Sequence, residues 1–203
     1  MNMIARAHKG DTPEIVVLDR SDDRWKRLHD IIRVESLKLG EFTLSSGRRS
    51  KFLFQLRQTT MLGEGAALIS DAIVELMKKL HVHSVGGLEL GAVPIATAVA
   101  QAGYRNGYRV DAFFVRKQAK PHGAKELVDG YLEPGAEALI VDDVTTAGGS
   151  VLKAVESIKA ERGCTVRWAL SIVDREEGAT ENLAARGVRL LSFFKKSDFE
   201  INV

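Results

Sequence analysis

The sequence has a single cysteine, Cys164, so no disulfide framework holds the chain together and a reducing, cytoplasmic setting is expected. Within "GCTVRWALSIV" that thiol reads as a small packing residue in or beside a strand. Net charge is almost absent: 29 basic residues face 27 acidic ones, which removes the bulk electrostatic reason to expect nucleic acid. No apolar run approaches the ~20 residues of a membrane-spanning helix, so no membrane partner is expected. The start, "MNMIARAHKGDTPE", has charge but no apolar stretch of the signal-peptide kind. Internal repeats and low-complexity tracts are missing too. "GGLELGAV" has the glycine spacing of a Walker A loop without its lysine and hydroxyl, and no G-x-G-x-x-G fingerprint occurs. What remains is 203 residues, 45% hydrophobic and 28% charged, enough for one domain with a real core.

Residues 1–20 lack periodicity and read as a loose extension, leaving 21–203 as the domain. "DDRWKRLHDIIRVESLK" carries a helical apolar stripe at Trp25, Leu28, Ile31 and Ile32, with acids at its start. "KFLFQL" (51–56) predicts a short strand, "GEGAALISDAIVELMKKL" an amphipathic helix, and "SVGGLEL" a strand. "GAVPIATAVAQAG" predicts a buried helix with Pro94 in its first turn. The strand patterns "YRVDAFFVRK", "EALIVDD", "CTVRWALSIVD" and "VRLLSFF" follow, with helices "SVLKAVESIKAER" and "ENLAARG" between the later ones. Such alternation implies βαβ units, a mostly parallel central sheet flanked by helices, and a ligand beyond the carboxyl ends of the strands. Residues 117–134, "KQAKPHGAKELVDGYLEP", break the alternation. Unstructured connections this long tend to be functional or disordered. This one starts with positive charge at Arg116, Lys117, Lys120 and Lys125, with His122 among them.

The most informative stretch is "ALIVDDVTTAGGS", residues 138–150. A buried strand runs straight into Asp142 and Asp143, whose side chains alternate in direction and so need not share a task. "TTAGG" then offers backbone N–H groups free of bulk and the hydroxyls of Thr145 and Thr146. A helix starts near Ser150, and its N-terminus favours an anion. Acids beside a phosphate cradle would repel a bare phosphate. They make sense if the ligand also brings hydroxyls or a metal, because carboxylates accept hydrogen bonds from a sugar diol or hold a hydrated Mg²⁺. The ligand so implied is a sugar phosphate. A receiver-domain acid pocket is the competing reading, but there the acid pair follows the first strand, and here it comes late. His81 and His83 in "HVHS" would share one face of a strand with no third ligand nearby, so they read as a surface pair and no protein-held metal is expected.

"ALIVDDVTTAGGS" resembles the PRPP-binding signature of type I phosphoribosyltransferases, and the rest of the chain is similar to the orotate phosphoribosyltransferase family. "GEFTLSSGRRSKFLF" resembles that family's F-x-L-x-S-G-x-x-S segment, "GLELGAVPIATAVA" its second glycine-containing loop, and "VRKQAKPHG" its R-K-x-x-K-x-H-G catalytic-loop signature. The matches come in family order and span residues 41–178. The resemblance implies an α/β phosphoribosyltransferase core with a small hood, contributed largely by the N-terminal part. It implies transfer of ribose 5-phosphate from PRPP to orotate in pyrimidine biosynthesis, with Mg²⁺ held mainly through PRPP and water. It also implies a homodimer whose mobile loops serve each other's sites.

Carried over by position, Lys120, His122, Asp142 and Asp143 are the catalytic candidates. Arg116, Lys117 and the run Val144, Thr145, Thr146, Ala147, Gly148, Gly149 and Ser150 would join them in binding PRPP. "VDREEG" places Arg175 on the orotate carboxylate, beside Thr146 and Phe54; Leu53 replaces the second aromatic found there. Two positions depart from the family pattern: Ser45 and Gly91 stand where many or some members have lysine. A PRPP-binding regulator without catalysis, and a phosphoribosyltransferase for another base, are the alternatives at this stage.

Overall fold

The computed structural model describes residues 15–43, 49–118 and 126–201. Helix α1 (Asp23–Ile31) begins where the sequence provides a cap: the Asp22 carboxylate accepts the Arg24 N–H at 2.8 Å. Its stripe buries Leu28 and Ile31, and Ile32 beyond it is fully covered; burying a side chain of this size contributes about 1.5–3 kcal/mol. The helix expected through Lys38 ends sooner. A five-residue π-helical turn (Ile32–Ser36) intervenes, and Leu37 enters strand β1 (Leu37–Thr43). β1 pairs antiparallel with β2 (Arg49–Phe54), opposing Leu37 to Phe54, with a bulge between Leu39 and Phe42. This hairpin is a separate two-stranded sheet and stands in the N-terminal part, where a hood is implied. A short helix, α2 (Arg57–Thr60), follows. Of the residues expected to form a loose extension, 15–20 are described, and Val17 and Leu18 are buried in the core.

Helix α3 (Gly63–Leu80) leads into β3 (Ser84–Gly86), α4 (Ala92–Arg105), β4 (Asp111–Val115) and β5 (Val128–Gly130). Then come β6 (Glu137–Thr145), α5 (Gly149–Arg162), β7 (Thr165–Asp174), α6 (Ala179–Ala184) and β8 (Arg189–Lys195). The sheet order is β5-β4-β3-β6-β7-β8, parallel throughout except for β5, which pairs antiparallel with β4 at the edge. The period-2 rule divides the core. Leu139 and Val141 of β6 join the cluster containing α3 and α4, while Ala138 and Ile140 join the one containing α5 and Leu183 of α6.

That division positions the site. β3 and β6 are hydrogen-bonded neighbours, but the chain leaves β3 for α4 on one face and leaves β6 for α5 on the other. Their carboxyl ends therefore form a topological switch point, where loops diverge and open a crevice. The loops after Gly86 and after Thr145 both start there.

Two strands had no expectation in the sequence: β1, and β5 inside the irregular stretch 117–134. A third segment, "SVGGLEL", is shorter than expected. Its strand stops at Gly86, and only Leu88 bridges on to Val115.

Candidate active site

Asp142 and Asp143 lie near the carboxyl end of β6, in regular register with β7 from Leu139 onward. Alternation sends Asp142 to the α5 face and Asp143 to the α4 face. Both carboxylates nonetheless approach the loop after β3. A Cβ built on Gly91 would stand 2.5 Å from Asp143 Oδ1 and 2.9 Å from Asp142 Oδ1. No side chain fits at residue 91 unless the acids move, which gives a steric reason for glycine there.

Each acid is held by main chain. Asp142 Oδ1 accepts the Asp143 N–H at 3.0 Å, and Asp143 Oδ1 accepts the Val144 N–H at 2.9 Å. Burial pushes the Asp142 carboxyl well above the usual carboxylate range, and the Asp143 charge adds to the rise. Burial also raises Asp143, against the Val144 N–H and the positive charge of Arg57. Two crowded carboxylates of this kind favour any ligand that brings hydroxyl donors or a cation.

The cradle follows. Thr145 closes β6 with its hydroxyl buried and without a hydrogen-bond partner among the described residues. Gly148 sits at φ 83°, a left-handed conformation suited to glycine, and its turn is tied down by Asn182 Nδ2 donating to the Ala147 carbonyl at 3.0 Å. Helix α5 starts at Gly149 with Ser150 exposed beside it, so its unpaired N–H groups face outward, as an anion site requires.

Cations stand around this crevice. The Lys117 charge acts on Asp142, and that of Arg57 on Asp143. Arg57 was not singled out from sequence: it follows an apolar strand pattern, and nothing local ties it to residue 143. Arg116, expected on the pyrophosphate, is instead ion-paired with Asp129 at 2.6 Å and lies over the Phe114 ring. Lys120, Lys125 and His122 lie outside the described residues, as do Ser45 and Arg48.

At the end of β7, Arg175 is 6% exposed. Its guanidinium lies 4.7 Å from the Phe52 ring centroid, and Nε is 2.9 Å from Glu177 Oε1 without forming a hydrogen bond there. The neighbouring aromatic is therefore Phe52. Phe54, two residues along the same face, turns into the core, 7% exposed and edge-on to Phe199. His81 and His83 are both exposed; His83 Nδ1 bonds the Arg109 carbonyl and its ring stacks on Tyr108. Among the described residues, no group of three or more His, Cys, Asp or Glu side chains is placed to hold a metal ion. The acid pair instead offers the two oxygen donors that suit a hydrated ion arriving with its ligand.

This fold, with an acid pair and a small-residue loop at the switch point, defines a phosphoribosyltransferase. The family model of the phosphoribosyl transferase domain matches residues 60–196. Orotate phosphoribosyltransferase of Rhodopseudomonas palustris (strain TIE-1) is 48% identical over 177 residues, covering 85% of this chain and 94% of that protein. The Aquifex aeolicus orotate phosphoribosyltransferase is 40% identical over 176 residues, covering 85% and 96%. The crystal structure of Mycobacterium tuberculosis H37Rv orotate phosphoribosyltransferase in complex with PRPP superposes with a TM-score of 0.74 at 35% identity, covering 89% of this chain and all of that one. The chain belongs to the phosphoribosyltransferase family and, within it, to the orotate phosphoribosyltransferases.

Proposed function

We propose that the chain transfers ribose 5-phosphate from PRPP to N1 of orotate, giving orotidine 5′-monophosphate and pyrophosphate for pyrimidine biosynthesis. The observation that carries this reading is the adjacent pair of buried Asp142 and half-buried Asp143, opening onto the Thr145–Gly149 turn at the start of α5. In the reaction the C1–O bond to pyrophosphate breaks, the C1–N1 bond to orotate forms, and the orotate N1 proton leaves to water or pyrophosphate. Positive charge builds on the sugar and negative charge on the leaving group, as in other displacements at an anomeric carbon. Fixed charges aimed at both are then the main source of rate.

In this reading the run 144–150 takes the 5′-phosphate, with the unpaired Thr145 hydroxyl turned to it. Asp142 and Asp143 accept the ribose hydroxyls or metal-bound water. Lys117, Lys120, His122 and Arg57 face the pyrophosphate. Arg116 reaches it only by leaving Asp129. Asp142 and Asp143 would hold Mg²⁺ arriving with PRPP, through its bound water, and the ion would offset the charge of the pyrophosphate. Arg175 pairs with the orotate carboxylate, for which a guanidinium is suited by two parallel hydrogen bonds.

A second copy of the chain is the proposed partner. Met61, at 70% exposure, borders a groove with Val93, Pro94 and Ala98 of α4, and this exposed apolar groove supports that reading. Cys164 is a buried free thiol, in keeping with action in the reducing cytoplasm. The test is to mix the purified protein with PRPP, Mg²⁺ and orotate and follow the loss of orotate absorbance. Turnover with orotate and none with other bases is expected. PRPP binding without turnover would reassign the chain to the PRPP-binding regulators.

A further inference from the structure

Helix α5 does more than open the phosphate cradle, because its outer face grips both ends of the segment that interrupts the sheet edge. The β4–β5 ladder runs out at the pair Val115–Val128. Beyond it the described main chain has one further cross-bond, Arg116 N–H to the Leu127 carbonyl at 2.9 Å. The remaining main-chain groups need other partners, and charged side chains supply them. Lys153 Nζ donates to the Lys117 carbonyl at 2.7 Å. Glu161 accepts two N–H groups, from Leu127 at 2.8 Å and from Val128 at 3.0 Å. From the other side, Glu89 accepts the Lys117 N–H at 2.7 Å. The Lys117 peptide groups are therefore pinned on both sides, by the loop after β3 and by α5.

Hydrogen bonds to an ionised group are roughly twice as strong as neutral ones. Lys153 and Glu161 stand eight residues apart, about 12 Å along one rigid helix. That helix begins at Gly149, in the cradle assigned to the 5′-phosphate. PRPP carries its 5′-phosphate and its pyrophosphate at opposite ends of the ribose. A single helix that seats one end and pins the residue bearing a cation for the other sets the distance between them.

We propose that Lys153 and Glu161 are positioning residues of the transfer reaction: from α5, Lys153 fixes the Lys117 carbonyl and Glu161 fixes the facing main chain at Leu127, which accepts the neighbouring Arg116 N–H, so that the Lys117 ammonium meets the pyrophosphate at a set distance from the 5′-phosphate cradle. The inference rests on the reading of Lys117 as a pyrophosphate cation. Neither residue touches substrate, and both act through the main chain they hold.

The experiment is a double-mutant cycle on the full-length protein. Lys153→Met, Lys153→Arg and Glu161→Gln are each made in the wild-type and in the Lys117→Met background. All are assayed with PRPP, Mg²⁺ and orotate, and their thermal midpoints are measured. In the wild-type background, Lys153→Met and Glu161→Gln should each lower kcat about 10-fold, which is about 1.4 kcal/mol in the barrier. The orotate KM should change less than twofold, because the base end lies at β7. Lys153→Arg keeps a donor of similar reach and should restore most of the rate. In the Lys117→Met background, Lys153→Met should cost little more, as expected of residues that act as one unit.

Equal losses in the two backgrounds, or wild-type kcat in both Lys153→Met and Glu161→Gln, would overturn the proposal. A loss of rate that tracks a fall in thermal midpoint, with Lys153→Arg no better than Lys153→Met, would assign a merely structural role. Unchanged turnover in Lys117→Met alone would remove the cation reading itself, an outcome separate from failure of the clamp.

Discussion

Asp142 shows how a site residue works against the fold that holds it. Burial, then the Asp143 charge, raise its carboxyl above the ordinary value of 3.8. A raised carboxyl means the folded chain keeps a proton that the unfolded chain has already lost. Below about 3.8 both states are protonated and no penalty exists; as pH rises through the raised value the folded state must carry a buried charge, and stability falls. Asp142→Asn removes that penalty while its side-chain oxygen can still accept the Asp143 N–H. Without PRPP or Mg²⁺, the variant should therefore melt higher than wild type at neutral pH, and the gain should fade as pH drops toward 4. Its turnover should fall on the order of 10²-fold, the usual loss for one fixed electrostatic partner, and Asp143→Asn should lose a similar factor. Melting curves at several pH values and steady-state rates check both halves. A variant less stable at every pH, or unchanged turnover in both variants, contradicts this account of the pair.

Arg175 makes the complementary case at the base end. It is buried, it lies over the Phe52 ring, and beside Glu177 at 2.9 Å its Nε–H makes no hydrogen bond among the described residues. Truncation to alanine leaves a substrate carboxylate unpaired, a loss of about 1.5–3 kcal/mol for a hydrogen bond to a charged group. The orotate KM should rise about 10- to 100-fold and the PRPP KM much less. Equal effects on the two substrates would make this arginine a support for the hairpin.

At the scale of elements, the crevice depends on how closely the loop after β3 approaches the end of β6. Gly91 is the contact point, with the built Cβ 2.5 Å from Asp143 Oδ1. Gly91→Ala should force the acid pair or the loop to shift by several tenths of an ångström. Such misplacement near reacting groups can cost up to about 10²-fold, so kcat should fall at least 10-fold with the fold intact. Wild-type kinetics in this variant would mean the loop yields without disturbing the acids.

The same contact shows what the sequence could and could not tell. The strands β6 and β7 and helices α3 to α5 were legible because each carries its period over many residues. The acid pair and cradle were legible because they are contiguous in the chain. β1 and β5 were not: one is mostly exposed with a bulge, the other spans only three residues, so neither shows an alternation long enough to read. Arg57 and Phe52 reach the site through the fold, from elements distant in sequence. Nothing local marks such residues, and Arg116, inside a recognised motif, turned out to be engaged by Asp129.

At the scale of the whole molecule, the proposed homodimer with shared sites makes a quantitative prediction. Suppose the segment bearing Lys120 serves the partner's Asp142. Then Lys120→Ala and Asp142→Ala damage different halves of each composite site, and each homodimer should be nearly inactive. In a mixed dimer, the Asp142 mutant lends its intact Lys120 to the intact acid pair of the Lys120 mutant, while the other site carries both lesions. Random pairing of equal amounts puts about half the chains into mixed dimers, each with one good site of two, so activity should recover to about a quarter of wild type. If Lys120 serves its own chain, every site in the mixture stays broken and mixing restores nothing. The two variants are unfolded and refolded together, mixed dimers are confirmed by mass with one chain tagged, and orotate consumption is measured. Recovery near a quarter supports shared sites. Mixed dimers without recovery return Lys120 to its own subunit, and a refolded protein that stays monomeric removes the dimer itself.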